Sequence, residues 1–543
     1  MNIIFLIFLI GLSATLLTLI FIGFELHYLA WIALIPLFIV IKKSGMLKAF
    51  LFSMALGFLF NIGIQWWGLK MESFNPLNFS IGATGVAFFY GIFGLFASYF
   101  NKKYPRWNIL TFPAIWVLLE YLRSHIGFLS WPLGILGYSQ YSALPAIQIS
   151  AFTGVYGVSF FIVTVNTVIT EIMCLFLSHS QVKIFHGLSS PISLKTSLSI
   201  LVGSLLVISL PFLYGSLSTA KTESIPALKV ALIQGNVYWN ERYWSDKYKY
   251  DSYYREGIFQ KYSSLTLKAA NSKPELILWP SSSVPGRIPY EKMRVKMLSS
   301  LARETGSSLL IGSSGFDKFI TDQKKTRRVA NSAFLFSPQG EIIGRYDKMR
   351  LLPFDEYLPM RNYVKWPSWI VSNITDAQPG EEMTIFSMKG VKFGVLICWE
   401  YMFPDQFREM AIKGVDFMVN MTNEGFTRTP VAHYQMLAMS VFRAVENNVS
   451  IARTASTGVS AIIEPDGRIR SKVHDQNLRD VDVEGYLVDE IPLSSKRTFY
   501  SRYGDWFIYT LSGIFIVFIS KGRMSKLFTI RKNKNNFQGG IER

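Results

Sequence analysis

The order of apolar and polar residues divides the chain into three parts. Residues 1–217 are an almost continuous series of hydrophobic stretches, residues 226–500 mix apolar and polar positions as a globular domain does, and residues 504–520 are apolar again. A helix needs about 20 apolar residues to cross a hydrocarbon core roughly 30 Å thick. The sequence therefore predicts about eight membrane spans, at 2–23, 28–41, 48–67, 79–100, 107–123, 150–177, 196–216 and 504–520.

Lysine and arginine are unevenly distributed between the loops, and this predicts an orientation. Alternate loops carry "KKSGMLK", "NKKYPRW", Lys183, Lys195 and the basic tail 521–543, whereas the other loops have little beyond Lys70 and Arg123. Short loops rich in Lys and Arg stay in the cytoplasm. We therefore expect both termini inside the cell and residues 226–500 on the opposite side of the membrane.

The hydrophobic period changes from helical to strand-like at about residue 227. Short β-rich runs such as "LKVALIQGN", "ELILWP" and "VKFGVLIC" alternate with helical patterns at 247–270, 290–304, 404–413 and 431–446. The segments "SPQGE", "MKG" and "EPDGR" are typical of hairpin turns. This mixture predicts a layered α/β domain that contains some antiparallel strand pairs.

Composition excludes several classes of function. The net charge is +18, yet a compact share of it lies in the tail 521–543, and the globular part shows no basic stripe interleaved with aromatic residues, so we expect no nucleic-acid partner. Six histidines, at positions 27, 125, 179, 186, 433 and 474, include no pair at metal-ligand spacing. No glycine-rich phosphate loop follows a strand. We expect neither a metal nor a cofactor.

Two cysteines, Cys174 and Cys398, are too few for a disulfide framework. Cys398 ends an apolar run in "GVLICWEYM". A cysteine in such a place is either a small buried core residue or a nucleophile. On the predicted outer side of the membrane, where thiols are usually paired, an unpaired Cys398 favours a functional thiol.

A series of motifs in the globular part resembles the carbon-nitrogen hydrolase (nitrilase) superfamily. In chain order they are "VALIQGN", "LILWP", "RYDKMRLLPFDEYLP", "VLICWE", "NMTNEGF", "HYQMLAMSVFRAVEN" and "RTASTGVSAIIEPDG". Together with the membrane spans and the intervening "WVLLEYLR" and "WPLGILGYSQY", they make nearly the whole chain similar to the bacterial apolipoprotein N-acyltransferases.

The resemblance implies a multi-pass α-helical membrane bundle (1–217) that carries a four-layer αββα sandwich (226–500), with a last span at 504–520 and the cytoplasmic tail 521–543. It places the protein in the bacterial inner membrane with its catalytic domain in the periplasm. It also implies transfer of a fatty acyl chain from a phospholipid to the α-amino group of the lipidated N-terminal cysteine of an apolipoprotein, through an enzyme thioester. We expect a monomer.

The resemblance also assigns roles to single residues. Cys398 matches the nucleophile, and Lys348 in "RYDKMRLLPF" matches an essential lysine whose ammonium stabilises the thiolate and the oxyanion. Glu356 and Glu400 match supporting carboxylates, for which surface or structural roles are the alternative. Further residues are expected at the acyl or lipopeptide site or, alternatively, in structural or membrane-interface positions: Trp239, Trp244, Asn423 and Glu424. His433 is expected to pack within a helix.

The sequence departs from the family at the position of the general base. A glutamate follows the proline at the end of the second strand in the superfamily, whereas "LILWPSSSVPG" has Ser281 there. A serine hydroxyl is not basic at neutral pH. General acid-base catalysis is worth about 10²- to 10⁴-fold in rate.

Three explanations of this departure stay open. The chain is a weakened or inactive paralogue that binds lipid or lipoprotein; or another carboxylate, Glu400, Glu356 or Glu424, replaces the missing base; or Lys348 activates the thiol with water as the base. A tethered amidase acting on small C–N bonds is a further alternative, although eight spans are hard to justify for a soluble substrate.

Overall fold

The computed structural model describes most of the chain. The described ranges are 2–70, 76–178, 227–238, 252–284, 287–318, 327–367, 377–425, 429–494 and 496–518, with Thr427 and a few single positions between 195 and 213. Within them, five helices are long and apolar enough to cross a membrane: Ile3–Ile22, Glu25–Lys43, Met46–Lys70, Pro76–Lys103 and Val155–Phe176. These helices confirm a membrane bundle.

The other predicted spans are not equally clear. Residues 107–123 form the helix Asn108–His125, which contains the buried charged side chains of Glu120 and Arg123. Residues 504–520 contain the shorter apolar helix Trp506–Phe518. Most of 196–216 lies outside the described residues, as does the tail 521–543. The total of eight spans stays a prediction.

Small residues let the membrane helices pack closely. The helices Met46–Gln65 and Pro76–Lys103 meet at Gly94, where an added Cβ would collide with Ser53 and the carbonyl of Ala49. At Gly57, an added Cβ would come within 2.6 Å of the ring of Tyr90. Membrane helices associate mainly through such close packing, because lipid offers no hydrophobic driving force between them.

The globular part of the sequence forms two sheets. The described strands are β1 Ala227–Gln234, β2 Leu276–Leu278, β3 Arg287–Ile288, β4 Ser308–Lys318, β5 Arg327–Phe336, β6 Ile342–Asp347, β7 Ile385–Met388, β8 Val391–Ile397, β9 Phe417–Thr422, β10 Ser450–Ala455, β11 Ala461–Ile463, β12 Ile469–Lys472 and β13 Gly485–Pro492. One sheet has the order β13-β1-β2-β4-β5-β6, with β3 beside β4, and the other has the order β12-β11-β10-β9-β8-β7.

Helices cover the outer face of each sheet, which confirms the αββα arrangement. The helices Ser252–Ala270 and Lys292–Thr305 cover the first sheet, and Pro404–Ile412 and Pro430–Asn447 cover the second. Along β1, Val230 and Leu232 share a core with the second sheet, while Ala231 and Ile233 join the core under the first pair of helices. A strand covered on both faces carries a nearly continuous apolar run, as "VALI" does here. The three predicted hairpins join β5 to β6, β7 to β8 and β11 to β12.

The helix Pro430–Asn447 also joins the sandwich to the membrane bundle. Gln435 on this helix donates a hydrogen bond to the carbonyl of Ile64 (2.9 Å), and its side-chain oxygen accepts one from Trp67 (3.2 Å). Further along, Arg443 donates to the Tyr138 hydroxyl (3.0 Å), and Glu446 accepts from the backbone N–H of Val155 (2.9 Å), the first residue of a membrane helix. The two parts therefore meet through buried polar contacts.

Candidate active site

The predicted catalytic residues follow the carboxyl ends of parallel strands. Cys398 comes directly after β8, Glu424 comes two residues after β9, and Ser281 comes three residues after β2. The strands β8 and β9 are parallel neighbours in one sheet, and β2 lies between its parallel neighbours β1 and β4 in the other. Side chains at the carboxyl ends of parallel strands converge at one edge of a sheet, where ligands of α/β proteins bind.

Cys398 occupies a strained turn. It has a φ of +55° and opens the 3-10 turn Cys398–Met402. A left-handed conformation in a non-glycine residue costs on the order of 1–3 kcal/mol and is common at functional sites. The thiol is partly exposed, and burial raises its pKa to about 12, although Lys348 opposes the shift. The resting side chain is therefore a thiol, and catalysis requires an acceptor for its proton.

Lys348 lies directly after β6, almost fully buried at 1% exposure. Its backbone N–H donates to the carbonyl of Asn331 (2.8 Å), and its ammonium donates to Glu356 Oε2 (2.6 Å). Burial disfavours the ammonium, yet Glu356 and the thiolate form of the neighbouring Cys398 outweigh this effect and raise the pKa of Lys348. Lys348 is thus a fixed positive charge beside the thiol.

Glu400 links the turn that contains Cys398 to the segment that follows Lys348. Its fully buried carboxylate accepts from the Tyr346 hydroxyl (3.0 Å), Gln406 Nε2 (3.0 Å) and the backbone N–H groups of Ile397 (2.8 Å), Met349 (2.7 Å) and Arg350 (3.0 Å). Burial raises the pKa of Glu400, against the effect of these donors. With its oxygens occupied in this way, Glu400 is a positioning residue.

Glu424 belongs to a buried ionic cluster. Its carboxylate pairs with Arg453 and lies 3.0 Å from Nδ1 of His433. Burial alone would raise the pKa of Glu424, but Arg453 and His433 lower it, so the group stays ionised. His433 is buried in its helix, and its ring also contacts this carboxylate, a contact that the sequence did not indicate. Asn423 is half-buried, and its Oδ1 accepts from the N–H of Gly425 (3.3 Å), which shapes the turn after β9.

Ser281 is 2% exposed, and its hydroxyl donates to Asn331 Oδ1 at 3.3 Å. The carbonyl of the same asparagine holds the backbone of Lys348. Asn331 on β5 thus links Ser281, through its side chain, to Lys348, through its backbone carbonyl, a connection that the sequence alone did not indicate. Trp239 and Trp244 lie outside the described residues.

The membrane bundle contributes an aromatic residue that sequence reasoning missed. Trp131 packs against Trp399, the residue after the nucleophile, with ring centroids 6.0 Å apart. Two buried side chains hold its loop, because Arg123 donates to the carbonyl of Leu133 (2.6 Å) and Glu120 accepts from the N–H of Leu136 (2.8 Å). The motifs "WVLLEYLR" and "WPLGILGYSQY" pointed to this region of the bundle, but they do not reveal which of their residues contacts Trp399.

The arrangement has the parts that acyl transfer needs. A thiol forms a covalent intermediate, a buried ammonium stabilises negative charge on sulfur and on a tetrahedral oxyanion, and the neighbouring carboxylates hold both in place. Among the described residues, no group of three His, Cys, Asp or Glu side chains is arranged to hold a metal ion.

Comparisons with known proteins match both parts of the chain. Residues 13–168 match the family described as apolipoprotein N-acyltransferase N-terminal domain, and residues 229–495 match carbon-nitrogen hydrolase. An apolipoprotein N-acyltransferase of Geobacter metallireducens is 33% identical over 506 residues, covering 92% of this chain and 91% of that protein. One of Chlorobaculum tepidum is 26% identical, with 90% and 91% covered.

A solved structure, an amidase from Nesterenkonia sp., is 17% identical and covers 50% of this chain and 94% of its own, with a TM-score of 0.34. That similarity is too low to support an argument. The match to the Geobacter protein over 92% of this chain, together with the two family matches, is sufficient to assign the chain to a family. The chain belongs to the apolipoprotein N-acyltransferase family, in the carbon-nitrogen hydrolase superfamily.

Proposed function

We propose that this protein transfers a fatty acyl chain from a phospholipid to the α-amino group of the diacylglyceryl cysteine of an apolipoprotein, with Cys398 as the nucleophile. Family membership supports the reaction. The observation that carries the residue assignment is the buried Lys348 ammonium beside the Cys398 thiol, at the end of β8 in a turn that Glu400 holds.

The two steps balance without a cofactor. In the first, the Cys398 sulfur attacks the ester carbonyl, the carbon–oxygen bond breaks, and the thiol proton ends on the hydroxyl of the lysophospholipid. In the second, the substrate amine attacks the thioester, the carbon–sulfur bond breaks, and an amine proton returns to sulfur. A group near the thiol only needs to carry the proton between these atoms.

Of the carboxylates that were considered as replacements for the missing base, Glu356 is the best placed. Glu400 is occupied by five different donor groups, and Glu424 is held by Arg453 and His433. Glu356 contacts Lys348 directly at 2.6 Å, and the same carboxylate oxygen also accepts from the N–H of Leu352 at 2.7 Å. In this proposal Lys348 passes a proton to Glu356 and takes the one from Cys398. Because the pKa of Lys348 is raised, this route is slower than direct transfer to a carboxylate.

The test is the covalent intermediate. The full-length protein in detergent is incubated with a phospholipid that carries a labelled acyl chain, and its intact mass is measured. We expect one acyl adduct in the wild type, none in Cys398→Ala, and an unchanged adduct in Cys174→Ala, since Cys174 is buried in a membrane helix. A synthetic peptide with an N-terminal diacylglyceryl cysteine should remove the adduct.

Two other results would support the alternatives. A wild type without adduct, together with an adduct in Ser281→Glu, would favour the inactive paralogue. Release of ammonia from small amides without acyl transfer would favour the tethered amidase.

We also propose that the protein lies in the bacterial inner membrane with the sandwich in the periplasm, on the basis of the lysine and arginine distribution. A tag placed after Arg531 should then react only with cytoplasmic reagents. Labelling of that tag from the periplasm would reverse the orientation.

A further inference from the structure

A cavity of about 780 Å³ opens where the sandwich meets the segment that leads to the apolar helix Trp506–Phe518. Its walls come from Ile412 at the end of the helix Pro404–Ile412 and from the segment between β13 and the helix Trp506–Phe518. The lining residues of that segment are all basic: Lys496, Arg497 and Arg502. A volume of this size lies within the range of about 300–1,000 Å³ that is usual for small-molecule sites.

Ion pairs between described residues do not neutralise the positive charge of this cavity. Among the described residues, Lys496, Arg497 and Arg502 take part in no ion pair within 4.0 Å. Asp416 is the carboxylate that acts on Arg497 electrostatically, and its side chain already accepts from the N–H of Lys392 (2.8 Å). The cavity therefore presents excess positive charge.

One of the three cations is fixed, and two are available. Arg497 donates to the carbonyls of Ala411 (2.6 Å) and Ser494 (3.0 Å), so its guanidinium is part of the wall. Lys496 and Arg502 are exposed. A rigid cation with two adaptable neighbours is a suitable arrangement for a phosphate, which arginine and lysine both bind.

The position of the cavity relative to the membrane narrows the choice of ligand. Phe499 and Tyr503 lie on either side of Arg502 in the chain, with rings 4.4 Å apart, and Phe499 also contacts Trp506 at 5.5 Å. Trp506 begins the apolar helix Trp506–Phe518 and donates to the carbonyl of Phe152 (2.6 Å). Exposed aromatic residues at the end of a membrane helix lie at the level of the lipid headgroups. Arg502 precedes Tyr503 and therefore lies at this level.

We propose that this cavity binds the phosphate of an anionic phospholipid headgroup in the leaflet that the sandwich faces. The site is separate from the thioester site, because the helix Pro404–Ile412, about 13 Å long at 1.5 Å per residue, lies between Ile412 and the turn of Cys398. The lipid held here is a second lipid and not the acyl donor.

The test compares full-length protein in nanodiscs of phosphatidylcholine with protein in nanodiscs that also contain labelled phosphatidylglycerol. The variant is Lys496→Gln with Arg502→Gln. Since each basic residue at a membrane surface contributes about 1 kcal/mol, retention of phosphatidylglycerol should fall roughly 10- to 30-fold, while retention of phosphatidylcholine stays the same.

A matched control carries Lys292→Gln and Lys296→Gln, two exposed lysines on the outer helix Lys292–Thr305, and should behave as the wild type. Equal loss in this control, or no loss in the cavity variant, would overturn the proposal. Inorganic phosphate and glycerol 3-phosphate are added as competitors in separate experiments. Full displacement of the lipid by either soluble anion at low millimolar concentration would assign the cavity to a free phosphate instead. Thermal unfolding of both variants checks their folding.

The acyl adduct on Cys398 separates this proposal from the proposed function. In detergent with soluble substrate, the cavity variant should form the adduct at the wild-type rate, since neither residue belongs to the catalytic group. Loss of lipid retention with a normal adduct supports the second site. Loss of the adduct in this variant alone would show that the cavity is part of the acyl-donor site and would contradict the proposal.

Discussion

At the scale of single residues, the charges around the thiol decide its reactivity. Lys348 favours the thiolate of Cys398, whereas burial and the carboxylates of Glu356 and Glu424 disfavour it and raise its pKa to about 12. Ser281 adds no charge. In the proposed reaction, this weakly acidic thiol must lose its proton before the sulfur attacks.

The substitution Ser281→Glu should accelerate this step, because it supplies a carboxylate where the superfamily has its base. We expect formation of the acyl adduct to become about 10²-fold faster, the lower end of the usual effect of general bases. Ser281→Ala is the control, and its rate should stay within about twofold of the wild type, since it removes one long hydrogen bond of 3.3 Å. Equal rates in Ser281→Glu and the wild type would show that another group already acts as base.

The pH dependence of alkylation reports the pKa of Cys398 directly. In a Cys174→Ala background, the rate with iodoacetamide should rise about tenfold per pH unit from about pH 7 to about pH 10, because the thiolate is the reactive form and its pKa is about 12. In Glu356→Gln, a carboxylate that raises this pKa is absent, so alkylation at about pH 8 should be faster. A plateau below about pH 9 in the unsubstituted site would contradict the assignment.

At the scale of elements, the 3-10 turn Cys398–Met402 depends on Glu400. The carboxylate accepts two N–H groups of the loop after β6 and one at the end of β8, so it sets the distance between lysine and thiol. Neither element would hold this geometry by itself, because a left-handed cysteine is unfavourable without tertiary contacts.

The variant Glu400→Gln tests this role. It turns an amide NH₂ toward buried donors, which should destabilise the protein by about 3 kcal/mol and slow the formation of the adduct. Thermal unfolding in detergent and the intact-mass assay measure both effects. The exposed Glu409→Gln on the neighbouring helix should change neither. Wild-type stability and rate in Glu400→Gln would remove its positioning role.

Several elements were predictable from local patterns. The predicted helices 404–413 and 431–446 are Pro404–Ile412 and Pro430–Asn447, and the three hairpins form at the predicted turns. The helix predicted at 247–270 is described from Ser252. Apolar periodicity and turn residues act over a few positions, so they can be read without knowledge of the fold.

At the scale of the whole molecule, a buried ion pair joins the sandwich to the membrane bundle. Arg443 and Glu446 are both fully buried. Glu446 accepts a hydrogen bond from the N–H of Val155, and Arg443 donates one to the hydroxyl of Tyr138. Burial raises the pKa of Glu446 to about 7, although Arg443 opposes the shift. Other ionisable groups around the pair are Tyr138, Tyr156, Tyr500 and Asp505.

The variant Arg443→Met should destabilise the protein by about 3–5 kcal/mol, because it leaves a buried carboxylate without its cation. The loss should grow with pH. A raised folded-state pKa means that the folded state keeps a proton that the unfolded chain releases. Stability therefore falls as the pH rises from about 4.5 toward the folded-state pKa of Glu446. That pKa is about 7 in the wild type and higher in the variant, which lacks the opposing charge of Arg443. Thermal unfolding at about pH 5 and about pH 8 measures this.

Arg468→Met, at an exposed arginine 3.7 Å from Asp466, is the matched control and should unfold as the wild type does at both pH values. If Arg443→Met shows the same stability as this control, the pair does not contribute to the junction. A loss that is independent of pH would instead show that Glu446 keeps its charge without Arg443.

The sequence by itself determined the membrane bundle and the layered α/β domain, and it singled out Cys398 and Lys348 as candidates, because hydrophobic periods and short motifs are local properties of the chain. Only the tertiary structure decided the roles of their partners. Glu400 meets Tyr346, Glu424 meets Arg453, and Trp131 meets Trp399 across long separations in the chain. Such contacts form when the two sheets pack on each other and on the bundle, and the free energy that selects them comes from burial and charge pairing between distant segments.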